Sequence, residues 1–149
     1  MTTTVGTENT LESLLEDLVQ LDYDAADAYQ AAIDRLEDAR LRNTLAEFKR
    51  DHLRHITELG DILSSMGRTP PKEGDMKALL TKGKVVIAAL MGDESILQAM
   101  RTNEADTNTA YERAVQFKGL QANTREVLQR GLEDERRHCE WILEQLKHD

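Results

Sequence analysis

The sequence predicts an all-α protein, a four-helix bundle made of two antiparallel helical hairpins joined by a long crossover that contains a short helix. Leu, Ala, Glu, Gln and Arg, which favour helices, dominate the 149 residues, and there are only 8 Gly and 2 Pro. We find no sustained alternation of apolar and polar residues that would predict a strand. The second half also repeats the pattern of the first at an offset of 82 or 83 positions, as two equivalent hairpins would.

The length and the 40% of apolar side chains are sufficient for one domain with its own core, spanning residues 1–149. We expect a flexible N-terminus over residues 1–8, a first hairpin over 9–66, a crossover over 67–92 and a second hairpin over 93–147.

The first hairpin is predicted from one apolar stripe on each side of a break. Asn9 and Glu12 have the spacing of a capping box, and apolar residues then recur at helical period as far as Leu36. A break near Asp38 separates this helix from the next. The second helix is expected to stop before Gly67, because glycine commonly follows the last turn of a helix.

The crossover contains both prolines and, over residues 85–91, the longest unbroken apolar run. We expect this run to form a short helix that either caps one end of the bundle or makes a dimer contact. The protein is therefore expected to be a homo-oligomer, a dimer or larger.

The second hairpin is predicted in the same way. Gly92 and Asp93 should start its first helix, which we expect to end at Gly119. Asn123 and Glu126 again have the spacing of a capping box and should start the last helix.

Charge and composition exclude several classes of partner. The formal net charge of −9 argues against nucleic acid, because phosphate binding needs a basic stripe. A single cysteine, Cys139, cannot form an intramolecular disulfide. Residues 1–10 lack the features of a signal peptide, and the longest apolar run is far shorter than the roughly 20 residues that span a bilayer. We expect a cytoplasmic, soluble protein with no membrane partner.

Six ionisable residues interrupt the apolar stripes of the four long helices. Asp22 lies about two turns from both Leu15 and Tyr29, so it belongs to the buried stripe, whereas Asp24 and Asp27 do not. The same test selects five more residues. The complete set is Asp22, His52, His55, Glu104, Glu135 and His138.

These six residues should lie at one level of the bundle. Each is about 14–18 residues from the turn of its hairpin, which at about 1.5 Å rise per residue gives similar heights. Buried charges are costly unless something compensates them. Carboxylate oxygen with imidazole nitrogen suits Fe, Mn or Zn, and the repeat suits two ions bridged by carboxylates. A hydrogen-bonded network of histidines and carboxylates without metal is the alternative.

At these residues the chain resembles the ferritin-like di-iron carboxylate superfamily, which includes rubrerythrins, bacterioferritins and di-iron oxygenases. In that superfamily the first and third long helices each provide a carboxylate, and the second and fourth each provide a Glu-x-x-His pair. The segment 135–138, Glu-Arg-Arg-His, matches this pair. Glu104 followed seven positions later by Tyr111 is similar to the rubrerythrin pattern. The layout is also similar to that of bacterial superfamily members without an assigned function.

The resemblance extends to residues around the ligands. With Asp134, the last-helix segment resembles a D-E-x-R-H motif in which Asp and Arg orient a ligand histidine. This implies hydrogen bonds to the histidines, since a ligand imidazole usually donates its other N–H to a carboxylate or carbonyl. Tyr29 and Tyr111 are expected to be core residues that, near a metal, hydrogen-bond ligand carboxylates. The charged residues that the resemblance implies as partners of the ligand histidines are Asp51, Arg54, Asp134 and Arg137.

The sequence departs from the superfamily at two positions. His52 stands where the second helix should offer Glu, and Asp22 stands where the first helix usually offers the longer Glu. Histidine in place of glutamate makes one metal position richer in nitrogen and less anionic, whereas Asp22 keeps the carboxylate on a shorter side chain. No C-x-x-C pair is present for a rubredoxin-type iron.

The resemblance implies a metal-binding protein with two ions, iron first and Mn or Zn as alternatives, that oxidises Fe(II) or reduces O₂ or peroxide. As an enzyme it would be a di-iron oxidoreductase, ferroxidase- or peroxidase-like. The alternative is a non-catalytic four-helix protein for oligomerisation or partner binding, whose polar centre is satisfied internally or by a single Zn. Storage of iron in a cage is a third hypothesis.

Overall fold

The computed structural model describes residues 3–73 and 82–147, and these ranges contain helices and no strand. The all-α prediction is therefore confirmed for the described residues. Residues 1–2 of the expected flexible N-terminus and residues 74–81 of the crossover lie outside them. The helices are α1 (Leu11–Arg35), α2 (Ala39–Ser65), α3 (Lys82–Ala88), α4 (Asp93–Ala114) and α5 (Ala122–Lys147).

The four long helices pack as a ring. α1 lies against α2 and α4, and α5 lies against α2 and α4. The short helix α3 contacts α1 and α4. No helix in the described part of the chain has both the length and the apolarity needed to cross a membrane.

The first two helices begin at side chains that accept backbone N–H groups. Thr10, not Asn9, precedes α1: its backbone is extended and its side chain accepts the Ser13 N–H at 3.2 Å. The predicted capping box was thus wrong by one residue, because Thr10 has both the backbone conformation and the reach. Asp38 confirms the predicted break, since its Oδ1 accepts the Arg40 N–H at 2.8 Å.

Glycine ends α2 as predicted but does not end α4. Gly67 has φ +79°, and the Arg68 N–H beyond it donates to the Leu63 carbonyl at 2.9 Å. In contrast, α4 ends at Ala114, five positions before Gly119. The Phe117 N–H donates to the carbonyl of Ala114, three residues back, so the chain turns more tightly than an α-helix there.

The other two predicted starts differ in outcome. α4 begins directly after Gly92, as predicted. α5 begins at Ala122, so Asn123 lies inside the helix and is not its cap. The reason is that the Gln121 carbonyl already accepts the Arg125 N–H at 2.9 Å, which starts the helical hydrogen bonding earlier.

The crossover stretch 85–91 is only partly helical, and its helix α3 packs against α1 and α4. Ile87 is fully buried, and Leu90 packs against the same apolar cluster. Val85 and Met91 remain exposed, at 66% and 83%. Ile87 therefore packs into the core, while capping of a bundle end and a dimer contact through the exposed side chains both stay predictions.

Side chains of α4 also bind the α1–α2 turn and the N-terminal segment. Asp93, the first residue of α4, accepts the backbone N–H groups of Glu37 and Asp38 at 2.9 and 3.1 Å, which links the α1–α2 turn to α4. Near the N-terminus Val5 is buried, and Arg113 Nη1 donates to its carbonyl at 3.1 Å.

The apolar core is divided into two clusters, one towards each end of the bundle. One contains Leu14, Leu15, Leu18, Val19, Leu59, Leu63, Leu128 and Leu132. The other contains Ala28, Ala32, Leu41, Leu45, Phe48, Ile96, Met100 and Ile142. Between these positions, each long helix carries the ionisable residues singled out from the sequence, so a polar layer separates two apolar halves.

Candidate metal centre

The six ionisable residues predicted from the sequence converge in the polar layer. None is more than 3% exposed, whereas Asp24 and Asp27 are only partly buried. The helical period therefore distinguished these aspartates correctly from the one that enters the core. The six are Asp22 from α1, His52 and His55 from α2, Glu104 from α4, and Glu135 and His138 from α5.

Four of them form a first group of donor atoms that could hold a metal ion. Asp22 Oδ1 is 2.7 Å from His52 Nδ1 and 3.2 Å from His55 Nδ1. Glu135 Oε1 approaches the same two nitrogens at 3.5 and 3.4 Å. Two nitrogens and two oxygens from three helices thus face one point.

A second group shares two residues with the first. It consists of His52, Glu104, Glu135 and His138, again buried and again able to hold a metal ion. Glu104 Oε1 is 3.4 Å from His52 Nε2 and 3.5 Å from His138 Nδ1. Glu135 Oε2 lies 3.7 Å from the same nitrogen of His138. His52 and Glu135 therefore stand between the two groups.

Two aspartates hold the outer nitrogens of two histidines. His55 Nε2 of α2 donates to Asp134 Oδ2 of α5 at 2.9 Å, and His138 Nε2 of α5 donates to Asp51 Oδ2 of α2 at 2.8 Å. The arrangement is reciprocal, since each helix supplies the aspartate for the histidine of the other. It fixes both rings with Nδ1 turned towards the polar layer.

Two arginines complete this outer network. Arg137 donates to Asp51 at 2.7 Å and to Asp134 at 3.0 Å. Arg54 donates to Asp51 at 3.2 Å and also pairs with Asp134. The four charges alternate in sign, so the aspartates remain ionised beside the rings. In each case the pKa of the aspartate is lowered, because its histidine and arginine partners outweigh the effect of burial.

The two tyrosines hold carboxylates of the opposite hairpin. Tyr29 of α1 donates to Glu104 Oε1, and Tyr111 of α4 donates to Asp22 Oδ2 at 2.6 Å. Burial and these neighbouring carboxylates raise the pKa of both phenols well above 10. Both hydroxyls are therefore donors that orient a carboxylate, the contact expected near a metal.

Electrostatics within the layer favour the charged forms of its members. Burial alone would lower the pKa of the imidazoles, but the facing carboxylates outweigh it and raise the pKa to about 9 for His52, about 11 for His138 and about 12 for His55. Burial would likewise raise the pKa of Asp22 and Glu104, yet the facing imidazoles lower it. The carboxylates of the layer therefore favour positive charge on the imidazoles that face them.

Three donor atoms of the layer lack a hydrogen-bond partner. They are both carboxylate oxygens of Glu135 and Nδ1 of His138, all buried. Buried polar atoms are nearly always paired, so such a group needs an explanation. A cation between Glu135 and the nearby imidazoles would supply the missing interactions, and the donor set therefore fits a metal ion.

Two polar residues of α4 that the sequence analysis did not select also support the site. Thr107 Oγ1 donates to Glu104 Oε2 at 3.0 Å. Asn108 Nδ2 donates to the backbone carbonyls of Glu104 and Glu135, at 2.8 and 3.0 Å, and so joins α4 to α5 at the level of the site. Both residues could have been found from the sequence, because positions three and four residues after Glu104 lie on the same face of the helix.

Gly131 of α5 was also missed. A Cβ atom at this position would lie 2.5 Å from Cε1 of Tyr111, so the tyrosine ring occupies the space left by the absent side chain. Glycine in a helix interior costs about 1 kcal/mol relative to alanine, which could have marked the position in the sequence. The absence of a side chain at Gly131 leaves room for the ring of Tyr111, whose hydroxyl donates to Asp22.

Comparisons with known proteins identify a family. No curated protein and no solved structure matches the chain. The model of the family described as "Domain of unknown function (DUF2383)" matches residues 10–117, more than half of the chain. The match includes Asp22, His52, His55 and Glu104, and α5 lies beyond it. The chain belongs to this family, the domain of unknown function DUF2383.

Proposed function

We propose that this protein is a ferritin-like metal-binding protein that holds two metal ions in its polar layer, with iron as the resident metal. We further propose that it oxidises Fe(II) or reduces O₂ or peroxide. The ligands are Asp22, His52, His55, Glu104, Glu135 and His138.

One observation carries this proposal. Two overlapping groups of four donors lie buried at the centre of the bundle. Glu135, one of the two residues common to both groups, has no hydrogen-bond partner for either oxygen. A buried carboxylate without a hydrogen bond is costly, although imidazole nitrogens lie 3.4–3.7 Å from the oxygens of Glu135. Metal ions on both sides of Glu135 would compensate it.

The chemistry of the donors restricts the metal. Each group offers two imidazole nitrogens and two carboxylate oxygens, a set that suits Fe, Mn or Zn better than Ca or Mg. The resemblance to the di-iron superfamily favours iron among these. Bound iron would supply the electrons for reducing O₂ or peroxide.

The chain's own residues would prepare the site for that role. Asp51 and Asp134 orient two imidazoles, and Tyr29 and Tyr111 orient two carboxylates, before any metal binds. The apolar clusters on both sides of the layer exclude water from it. Such preorganisation lowers the cost of binding, because few side chains must be rearranged.

The proposal is tested by titrating metal-free protein with Fe(II) under anaerobic conditions and then adding O₂ or peroxide. We expect two Fe(II) per chain, followed by oxidation of Fe(II) and consumption of the oxidant. The doubly substituted variant Glu135→Ala/His138→Ala should lose both the stoichiometric binding of Fe(II) and its oxidation. The matched control is Glu133→Ala/Arg136→Ala, which alters two exposed positions of the same helix.

The outcomes separate the hypotheses. Absence of stoichiometric binding would overturn the proposal and favour a non-catalytic four-helix protein with an internally satisfied polar centre. Binding of a single Zn(II) in preference to iron would favour the structural single-zinc alternative. Two bound Fe(II) that resist oxidation would retain the metal site and exclude the proposed reaction.

A further inference from the structure

His52 differs from the other two histidines in the surroundings of its ring nitrogens. His55 and His138 each present one nitrogen to an outer aspartate, so only Nδ1 faces the polar layer. His52 is completely buried and has no outer aspartate among its contacts. Its Nδ1 lies 2.7 Å from Asp22 Oδ1 and its Nε2 lies 3.4 Å from Glu104 Oε1. Both nitrogens therefore face donors within the layer.

The atoms around Nδ1 have the spacing of a coordination shell. Bonds of about 2.0–2.1 Å to a tetrahedral ion place ligand atoms about 3.3 Å apart. Asp22 Oδ1 is 2.7 Å from the Nδ1 atom of His52 and 3.2 Å from that of His55. Glu135 Oε1 is 3.5 and 3.4 Å from the same nitrogens. Three of these distances are close to that value, and the hydrogen-bonded pair Asp22–His52 must move apart for an ion to bind.

The atoms around Nε2 form a second shell of the same kind. Glu104 Oε1 lies 3.4 Å from His52 Nε2 and 3.5 Å from His138 Nδ1, and Glu135 Oε2 lies 3.7 Å from the latter. The two oxygens of Glu135 thus face different groups, as do the two nitrogens of His52.

We propose that His52 binds both metal ions, one through each ring nitrogen, as a bridging imidazolate. This inference rests on the proposed function, because it presupposes that the layer binds metal. Glu135 then lies between the two ions, with Oε1 beside the ligands of the first and Oε2 beside those of the second. Asp22 and His55 complete the first ion's ligands, and Glu104 and His138 complete those of the second.

The charges of the layer agree with this assignment. Two divalent ions bring four positive charges, whereas Asp22, Glu104 and Glu135 bring three negative ones. Binding at both nitrogens displaces the ring protons of His52 to solvent and leaves an imidazolate with the fourth negative charge. The outer aspartates and arginines cancel one another, so the buried centre is neutral. Neutrality matters because an uncompensated buried charge costs several kcal/mol.

Crystals of the protein loaded with Zn(II) would test the bridge directly, because anomalous scattering locates each ion. An imidazolate bridge should separate two ions by about 6 Å, the sum of two metal–nitrogen bonds and the width of the ring. Two ions about 3.5–4 Å apart, bridged by carboxylate alone, would overturn the inference. A single ion would overturn it as well, while leaving the layer as a metal site. Absence of zinc from the layer would overturn the inference together with the proposed function.

Solution affinities provide an independent test with matched variants. His52→Asn should weaken the binding of both Zn(II) ions. His55→Asn should weaken mainly the binding of the first ion, and His138→Asn mainly that of the second. Each loss should be at least about tenfold, since even the outer partners of metal ligands are worth about 10–100-fold in affinity. Retention of one full-affinity ion by His52→Asn would overturn the bridge. Helical circular dichroism should be measured on all three variants, and a variant that loses its helices is replaced by the corresponding Gln substitution.

The substitution His52→Glu adds a positive control. It introduces a carboxylate at the position where the ferritin-like superfamily has one. We expect two Zn(II) ions to remain bound but to move together, to about 3.5–4 Å, because a carboxylate bridge is shorter than an imidazole ring. An unchanged separation would show that the ring of His52 does not determine the spacing of the ions, and would overturn the inference.

Discussion

His138 Nε2 in α5 donates a hydrogen bond to Asp51 Oδ2 in α2 at 2.8 Å. The same relation in reverse links His55 of α2 to Asp134 of α5, at 2.9 Å. The bonds that orient two proposed ligands are therefore also bonds between the two hairpins. Docking of one hairpin on the other and orientation of the histidines occur together.

Removing the charge of one outer partner should weaken metal binding without unfolding the protein. Asp51→Asn deprives His138 of an anionic acceptor, and we expect affinity for Fe(II) or Zn(II) to fall about 10–100-fold. Competition with a chromogenic chelator measures this change. Asp61→Asn, at an exposed position of the same helix, is the control. Equal affinities of the two variants would contradict a role for Asp51 in orienting His138.

Loss of a tyrosine hydroxyl should destabilise the metal-free protein. Tyr111→Phe removes the donor to Asp22 Oδ2 and leaves a buried carboxylate oxygen without its partner, which costs about 1–3 kcal/mol. Urea unfolding measures the difference in the free energy of unfolding. Tyr23→Phe removes a hydroxyl from a partly buried tyrosine of α1 and should have a smaller effect. If both variants unfold alike, the Tyr111–Asp22 hydrogen bond contributes nothing specific.

Filling the space at Gly131 should displace Tyr111. In Gly131→Ala the new Cβ would meet the tyrosine ring at 2.5 Å, so the ring must move away from Asp22. Metal affinity and stability should both fall, despite the higher helix propensity of alanine. Gly60→Ala is a matched control within α2, since its Cβ would meet Pro70 at an ordinary 3.5 Å. That control should be neutral or more stable by up to about 1 kcal/mol. A Gly131→Ala variant with the same gain would disprove the close packing.

The stability of the metal-free protein should decrease as pH rises above about 6.5. The pKa of His52 is raised to about 9 in the folded protein, against about 6.5 when unfolded. A raised pKa stabilises the fold fully below pH 6.5, and this contribution is lost as pH rises through 9. Each such histidine changes the free energy of unfolding by at most about 1.4 kcal/mol per pH unit.

Thermal melts of metal-free and Zn(II)-loaded protein between pH 6 and pH 9 measure this dependence. Metal binding requires deprotonated imidazoles, so zinc should stabilise the protein more at the higher pH. The variant His52→Asn should show a weaker decline in its metal-free form. A metal-free melting temperature that rises from pH 6.5 to 9 would contradict protonation of the buried histidines.

Several features of the fold and site could be predicted because they depend on periodicity along a helix. Asp22 was separated from Asp24 and Asp27 by its position on the apolar stripe, and it alone of the three is fully buried. The choice between Thr10 and Asn9 as the first cap could not be made, because both residue types cap helices and the local backbone decides between them. The end of α4 at Ala114, before the predicted Gly119, depends in the same way on backbone hydrogen bonding.

Local periodicity and distance from a turn were enough to predict that the protein is helical, that six ionisable residues enter its core and that they lie at one level. The packing of the helices, in contrast, sets which nitrogen of each imidazole faces inward and turns the two nitrogens of His52 towards different groups of donors. It also decided that Tyr111 packs into the space at Gly131. These relations depend on how α2, α4 and α5 are placed against one another, and helical periodicity carries no information about that placement.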